Sequence, residues 1–245
     1  MSKGVRVCSV ERGSTLDGPG IRYVIFLTTC PFRCKFCHNP ESWASPDSFP
    51  FMSTEELLKN VASLAPFLRQ GGVTISGGEP LLHKDFLIDF FTELKKINIH
   101  TAIDTCGYIQ LDEKLDKITE LSNLFLVDIK SIYEEEHIEL TGKSKEKTFE
   151  FLKYIYERQK DIIIRVVMYC EKVNSVKYAK ELALYLREFK DKINLIELLP
   201  YHSMGIEKWK KLKLNYDNFS FKSPTEEEIK AFSQVLEDFG YKTKY

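Results

Sequence analysis

The chain has 245 residues, 43% hydrophobic and 29% charged, with 35 Lys and Arg against 36 Asp and Glu for a formal net charge of −1. That length suits one large domain, or two small ones sharing a core, and buries enough surface to fold without disulfide staples. The near-zero charge argues against an electrostatic grip on nucleic acid, and the longest apolar runs, such as Ile21–Thr29 and Ile162–Ile164, fall far short of a membrane span. Residues Met1–Cys8 carry no apolar signal core and no small-residue cleavage site, so a soluble cytoplasmic protein is expected.

Short β-branched runs at Ile21–Thr28, Val73–Ser76, His100–Asp104, Leu124–Ile129, Ile162–Val167 and Ile193–Leu199 read as strands. Helical patterns lie between them. Ser53 and Glu56 have the spacing of a capping box and open a helix running towards Arg69. In Lys84–Ile97, Phe86, Phe90, Leu94 and Ile97 form one apolar stripe with Leu87 and Phe91 beside it. Lys145–Lys160 and Val176–Lys190 have the same character, and Thr225–Phe239 ends at Gly240 before a short terminal strand. Strands alternating with helices predict an α/β fold with a parallel sheet and right-handed crossovers. The length fits a partial (β/α)6 open TIM-like barrel better than a full eight-stranded one. A flat doubly wound sheet is the alternative.

The unusual polar residues follow the strands directly: Cys30, then Ser76-Gly77-Gly78-Glu79, Asp104-Thr105-Cys106-Gly107, Asp128-Ile129-Lys130 and Pro200-Tyr201-His202, with Arg165 near the end of the fifth strand. Carboxyl ends of parallel strands are where such folds bind ligands. Ordinary β-to-α turns account for the glycines but not for the cysteines, Lys130 or His202.

Of six cysteines, Cys30, Cys34 and Cys37 crowd into one loop while Cys8, Cys106 and Cys170 stand apart as small buried residues. The spacing C-x3-C-x2-C gathers soft thiolates that suit an iron–sulfur cluster or zinc. Structural zinc usually takes two separated ligand pairs, although His38 offers a fourth ligand. Three thiolates alone leave one position of a four-iron cluster open.

This loop, with Phe36 before its last cysteine, resembles that of the radical S-adenosylmethionine (SAM) superfamily, and Ser76-Gly-Gly-Glu-Pro80 resembles the family's Gly-Gly-Glu element. The segments Asp17-Gly-Pro-Gly-Ile-Arg22, Cys37-His-Asn39, Asp104-Thr105, Asp128-Ile-Lys130 and Glu197–His202 are similar to those of glycyl radical enzyme activases. No cysteine lies between Cys37 and Gly72, so the chain lacks a ferredoxin-like insert and resembles the compact, formate-lyase type. The resemblance implies a single radical SAM domain over residues 1–245, with a core of about 15–204 and a C-terminal helix and strand in 205–245.

It also implies the chemistry. Cys30, Cys34 and Cys37 would hold a [4Fe–4S] cluster whose fourth iron chelates SAM, and reductive cleavage would give a 5′-deoxyadenosyl radical. That radical would abstract hydrogen from a backbone glycine of pyruvate formate-lyase, with flavodoxin or ferredoxin supplying the electron. SAM contacts are expected from Phe36, Cys37, His38, Gly77, Gly78, Glu79, Asp128, Ile129, Lys130, Arg165 and His202. Gly77, Gly78 and Glu79 would face the methionine amino group and Lys130 the carboxylate. A salt bridge of Lys130 to Asp128 or Asp104, and a structural ion pair for Arg165, are the plainer alternatives. Asp104, Thr105 and Asp128 would supply oxygens to a sodium or potassium ion. Asp17, Gly18, Pro19, Gly20, Ile21 and Arg22 would help receive the partner's glycine loop.

His83, His100 and His137 read as satisfied surface residues. Cys106 stands where the activase pattern commonly has Asn, and Met168–Val173 lacks an expected Pro-Gly; neither is expected to touch the cluster. Three other readings stay open: an activase of another glycyl radical enzyme, a small-molecule radical SAM enzyme of the 7-carboxy-7-deazaguanine synthase type, and a zinc-stabilised binding protein.

Overall fold

The computed structural model describes residues 4–216 and 221–245. By packing, the chain divides into two compact units. One comprises residues up to Pro31 together with Glu41–Leu126, and the other comprises Phe32–Pro40 together with residues from Val127 onward. No helix among the described residues is long and apolar enough to cross a membrane.

In the first unit, β1 (Gly4–Ser14) pairs antiparallel with β2 (Arg22–Leu27) and with β3 (Phe51–Ser53). β2 runs parallel to β4 (Gly72–Gly77), and β4 runs parallel to β5 (Thr101–Thr105). The helices are α1 (Glu41–Ala44), α2 (Thr54–Leu64), α3 (Lys84–Lys96) and α4 (Glu113–Leu121). Ser53 Oγ accepts the Glu56 N–H at 3.1 Å, so α2 begins where the spacing predicts, although it ends at Leu64, short of Arg69. On α3 the residues Phe86, Leu87, Phe90, Phe91 and Leu94 are buried, whereas Ile97 caps the helix and is exposed. Its side chain lies beyond the last helical turn, so the apolar stripe stops at Leu94.

β6 (Leu124–Asp128) carries the chain into the second unit, where β7 (Asp161–Met168), β8 (Ile193–Pro200) and β9 (Thr243–Lys244) are parallel neighbours. Its helices are α5 (Glu134–Thr141), α6 (Glu146–Glu157), α7 (Val176–Tyr185), α8 (Ile206–Lys211) and α9 (Glu226–Asp238). α7 stops at Tyr185 and continues as a 3-10 turn over Arg187–Lys192, which splits the single helix expected there. Thr225 and Glu228 form a reciprocal capping box at the start of α9. α9 packs on α7, burying Ile229, Phe232 and Leu236 in the second unit.

All six strands expected from the sequence form, and the fold class is α/β with mostly parallel strands. β1 and β3 were not expected. β1 buries only Val5, Val7 and Ser14 among charged neighbours, so its pattern is that of a half-wet antiparallel strand with weak alternation.

Arg22 opens β2 with 0% exposure. Its Nε donates to Thr74 Oγ1, its Nη2 to the Val73 carbonyl at 2.7 Å and its Nη1 to the Pro19 carbonyl at 3.2 Å. Thr74 Oγ1 in turn donates to the Asp17 carbonyl at 2.7 Å, and Ser14 donates to the Asp17 carboxylate at 2.6 Å. Burial pushes the guanidinium pKa down to about 10, with Asp17 opposing the shift, so Arg22 stays charged at neutral pH. Arg22, expected within the segment that helps receive a partner, is buried, and its guanidinium ties the Asp17–Gly20 turn to β4. Asp17 is also buried, while Pro19, Gly20 and Ile21 remain at the surface.

Replacing Arg22 with Met leaves these acceptors without their donor, at an expected cost of about 3 kcal/mol in unfolding free energy. Urea denaturation checks it, and a loss under about 0.5 kcal/mol would mean that Arg22 does not hold this turn.

Candidate functional site

In the first unit the ends of β2, β4 and β5 are bonded into one arrangement. Gly78 N–H donates to the Leu27 carbonyl at 2.8 Å and Glu79 N–H to the Thr29 carbonyl at 2.7 Å. The chain after β4 therefore lies directly on the backbone that leads into Cys30. Gly77 has φ +107°, and a Cβ there would sit 2.2 Å from the Leu27 nitrogen. A Cβ on Gly78 would sit 2.1 Å from the Thr29 oxygen. Only residues without a Cβ permit this approach. Thr29 is itself left-handed, with φ +72°. It is fastened on both sides, because its N–H donates to the Ser42 carbonyl at 2.7 Å while its carbonyl takes Glu79.

Glu79 is fully buried. Its carboxylate accepts Leu81 N–H at 3.0 Å, the Thr105 hydroxyl at 2.6 Å and Cys106 N–H at 2.8 Å. Burial pushes the carboxyl pKa up, and these bonds pull it back. The side chain expected at a methionine amino group thus joins the β4 turn to the β5 turn. Asp104 accepts from Ser76 at 2.7 Å, and Thr105 Oγ1 also accepts Gly107 N–H at 2.9 Å. Cys106 is buried as expected, and its thiol hydrogen-bonds both Cys30 and Glu79.

In the second unit the loop over Phe32–Pro40 is anchored on two helices. Arg33 and Lys35 donate their N–H groups to the Thr141 and Leu140 carbonyls at 2.9 and 3.0 Å, satisfying carbonyls at the carboxyl end of α5. Phe32 meets His137 edge-on at 5.4 Å; His137 is buried, not at the surface. Cys37 N–H donates to the Cys34 carbonyl at 3.0 Å, which places both residues on one tight turn. Trp209 of α8 donates its indole N–H to the Cys37 carbonyl at 2.8 Å, and Lys208 donates to Asn39 Oδ1 at 2.9 Å. Gly205 presses so closely that a Cβ would lie 2.8 Å from the His38 ring.

His38 stacks on His202, with ring centroids 4.1 Å apart, and its Nε2 lies 3.0 Å from the His202 carbonyl. Burial, then the neighbouring His202, push the His38 pKa down, so the imidazole is neutral near pH 7. Phe36 packs on Tyr169 at 5.3 Å, and Lys130 Nζ lies 5.5 Å from its ring centre. Lys130 also donates to Asp128 at 2.8 Å, the plainer of the two pairings open in the sequence. Arg165 pairs with Glu197 at 3.2 Å across the β7–β8 register, and Ile129 N–H donates to the Arg165 carbonyl at 2.9 Å. Cys8 and Cys170 are half-buried, not fully buried as expected.

Sequence reading missed Trp209, Lys208 and Gly205. A lone indole inside the charged run Ile206–Lys211 was the available signal, since a Trp in such a helix needs both cover and an acceptor.

Residues 24–183 match the Radical SAM superfamily. The chain is 37% identical to the pyruvate formate-lyase-activating enzyme of Listeria monocytogenes, covering 97% of this chain and 98% of that one. It is 34% identical to the pyruvate formate-lyase 1-activating enzyme of Escherichia coli, covering 98% of each. Among solved structures, a domain of the pyruvate-formate lyase-activating enzyme from Bacteroides vulgatus superposes with TM-score 0.60 at 28% identity, covering 71% of this chain and 98% of that one. The chain therefore belongs to the radical SAM superfamily and, within it, to the pyruvate formate-lyase-activating enzymes. The radical SAM α/β fold expected from the sequence is the fold of this chain.

Membership brings two cofactors, a [4Fe–4S] cluster and SAM. The donor chemistry fits the first. The cysteine loop offers three thiols outside any disulfide, two of them on the Cys34–Cys37 turn. Among the described residues no three His, Cys, Asp or Glu side chains stand together as a metal site.

Gly78→Ala is expected to lower the melting temperature clearly more than Gly142→Ala. Gly142 has φ +78° with nothing within 4 Å of a new Cβ, so it measures backbone strain without collision. Equal shifts in calorimetry would remove the contact with Thr29 as the reason for a glycine.

Proposed function

We propose that the chain activates pyruvate formate-lyase, leaving a radical on one backbone glycine of that protein. The observation that carries the reading is the bonding of the Gly77-Gly78-Glu79 turn to the backbone entering the cysteine loop, in a chain similar along nearly its whole length to activating enzymes of that name. Cys30, Cys34 and Cys37 would hold the cluster. The chemistry these groups would supply when bound is one-electron reductive cleavage of SAM to methionine and a 5′-deoxyadenosyl radical, which would take the glycine hydrogen.

This chain's residues position and shield. With the Glu79 carboxylate occupied by three donors, the backbone carbonyls beside Gly77 and Gly78 are the acceptors assigned to the methionine amino group. Lys130 would meet the methionine carboxylate, exchanging part of its pairing with Asp128, with Ile129 beside it. Phe36, the Cys37 backbone, His38 and His202 are assigned to the adenosine, where a neutral His38 offers a flat, uncharged face. Trp209 fixes the Cys37 carbonyl, so the peptide next to a ligand cannot swing. Arg165 would act at SAM through its backbone position, its guanidinium being paired with Glu197. Asp104, Thr105 and Asp128 are assigned to a sodium or potassium ion, and the exposed Pro19, Gly20 and Ile21 to the partner surface. Flavodoxin or ferredoxin would donate the electron in the cytoplasm.

Anaerobic mixing of reconstituted protein, SAM, reductant and pyruvate formate-lyase should give a SAM-dependent doublet near the free-electron position in electron paramagnetic resonance. A cluster signal that responds to SAM without that doublet would discard the partner. Zinc in place of iron and sulfide would discard the reaction as well.

A further inference from the structure

The exit from β7, Met168–Val173, lacks the expected Pro-Gly and instead sets a tyrosine against the cysteine loop. Tyr169 is 0% exposed, and its ring packs on Phe36 at 5.3 Å with an interplanar angle of 45°. Phe221 meets both rings edge-on, Phe36 at 6.0 Å and Tyr169 at 5.8 Å, so each of the three rings touches the other two. Tilted and edge-on contacts of this kind are favoured between aromatic rings.

Tyr169 is fixed at both ends. Its carbonyl accepts the Lys222 N–H at 2.8 Å, and the Met168 carbonyl before it accepts the Tyr201 N–H at 2.9 Å. At the far end of the ring the hydroxyl donates to Glu136 Oε1 at 2.8 Å. Glu136 Oε2 pairs with Lys172 Nζ at 2.9 Å, and that ammonium lies 4.3 Å from the centre of the Tyr133 ring. The long axis of the phenol is therefore pinned, and the ring cannot swing away from Phe36 without breaking a charge-assisted bond in a buried place. Glu136 stands in the first turn of α5, the helix whose last carbonyls hold Arg33 and Lys35. The same helix thus carries the loop that bears Phe36 and the tyrosine on which Phe36 rests.

We propose that Tyr169 is a positioning residue for SAM: it holds the Phe36 ring where the adenosine is to lie, and Glu136 keeps it there by accepting its hydroxyl. This rests on the assignment of Phe36 to the adenosine. Because the wall is set before the ligand arrives, the cost of ordering it is absent from the binding free energy.

The test measures SAM affinity by anaerobic equilibrium dialysis on the whole chain, reconstituted with iron and sulfide and kept oxidised so that SAM is not cleaved. Iron and sulfide are counted first, and affinities are compared at equal cluster content. Tyr169→Leu should weaken SAM binding about tenfold, the scale of one aromatic pair. Tyr169→Phe should weaken it about threefold, the scale of one lost hydrogen bond, whereas Glu136→Gln, which still offers an acceptor oxygen, should stay nearer to wild type. The double variant Phe36→Leu/Tyr169→Leu should bind SAM as Phe36→Leu alone does, since without the Phe36 ring Tyr169 has nothing to position. Wild-type affinity in both Tyr169 variants, with Phe36→Leu weakened, would overturn the inference, as would losses that simply add in the double variant. If Tyr169→Leu holds no cluster, Tyr169→Phe combined with Phe36→Leu decides by the same comparison. Wild-type affinity in Phe36→Leu itself would overturn the assignment of Phe36 and the inference with it, and a wild-type chain without a cluster would fail both at the iron count.

Discussion

The approach of the β4 turn to the end of β2 is the constraint on which the first unit's chemistry depends. Two backbone hydrogen bonds, from Gly78 to Leu27 and from Glu79 to Thr29, bring the Gly-Gly-Glu turn onto the residues just before Cys30. Both glycines are required because a Cβ at Gly77 would overlap the Leu27 backbone and one at Gly78 the Thr29 backbone. Glu79 then extends the same arrangement to β5, since its buried carboxylate collects the Thr105 hydroxyl and the Cys106 N–H. A single turn therefore fixes the positions of three strand ends. Any displacement of it would leave a buried carboxylate short of donors, which is costly.

The remainder of the cysteine loop is fixed by a different device. Its backbone satisfies the terminal carbonyls of α5, and α8 closes over Cys37, His38 and Asn39 with one indole, one glycine and one lysine. The loop's peptide groups are thus held from outside rather than by its own packing. The buried Arg22 performs a related service at the other end of β2, where it ties the Asp17–Gly20 turn to β4.

Much of this was legible in the sequence. The parallel strands announced themselves because a strand covered on both faces is written as a continuous apolar run, as in Leu124–Val127 and Ile162–Ile164. β1 was not legible, because a strand half in water mixes charges with its apolar residues. The three loop cysteines, the paired glycines and Lys130 could be singled out because their chemistry is improbable elsewhere. Trp209 and Gly205 could not, because their importance lies in what they press against across a long sequence separation.

The sequence by itself determined the six strands written as apolar runs, the crowding of three cysteines in one loop and the family to which the chain is similar. These reside in local pattern and in residue type, which need no folding to be read. Only the tertiary structure decided which polar groups face one another. It turned Glu79 inward to Thr105 and Cys106, paired Arg165 with Glu197, buried Arg22 and set the Cys106 thiol against Cys30. Each of those outcomes depends on burial, since a group removed from water must take whatever partner the surrounding strands provide.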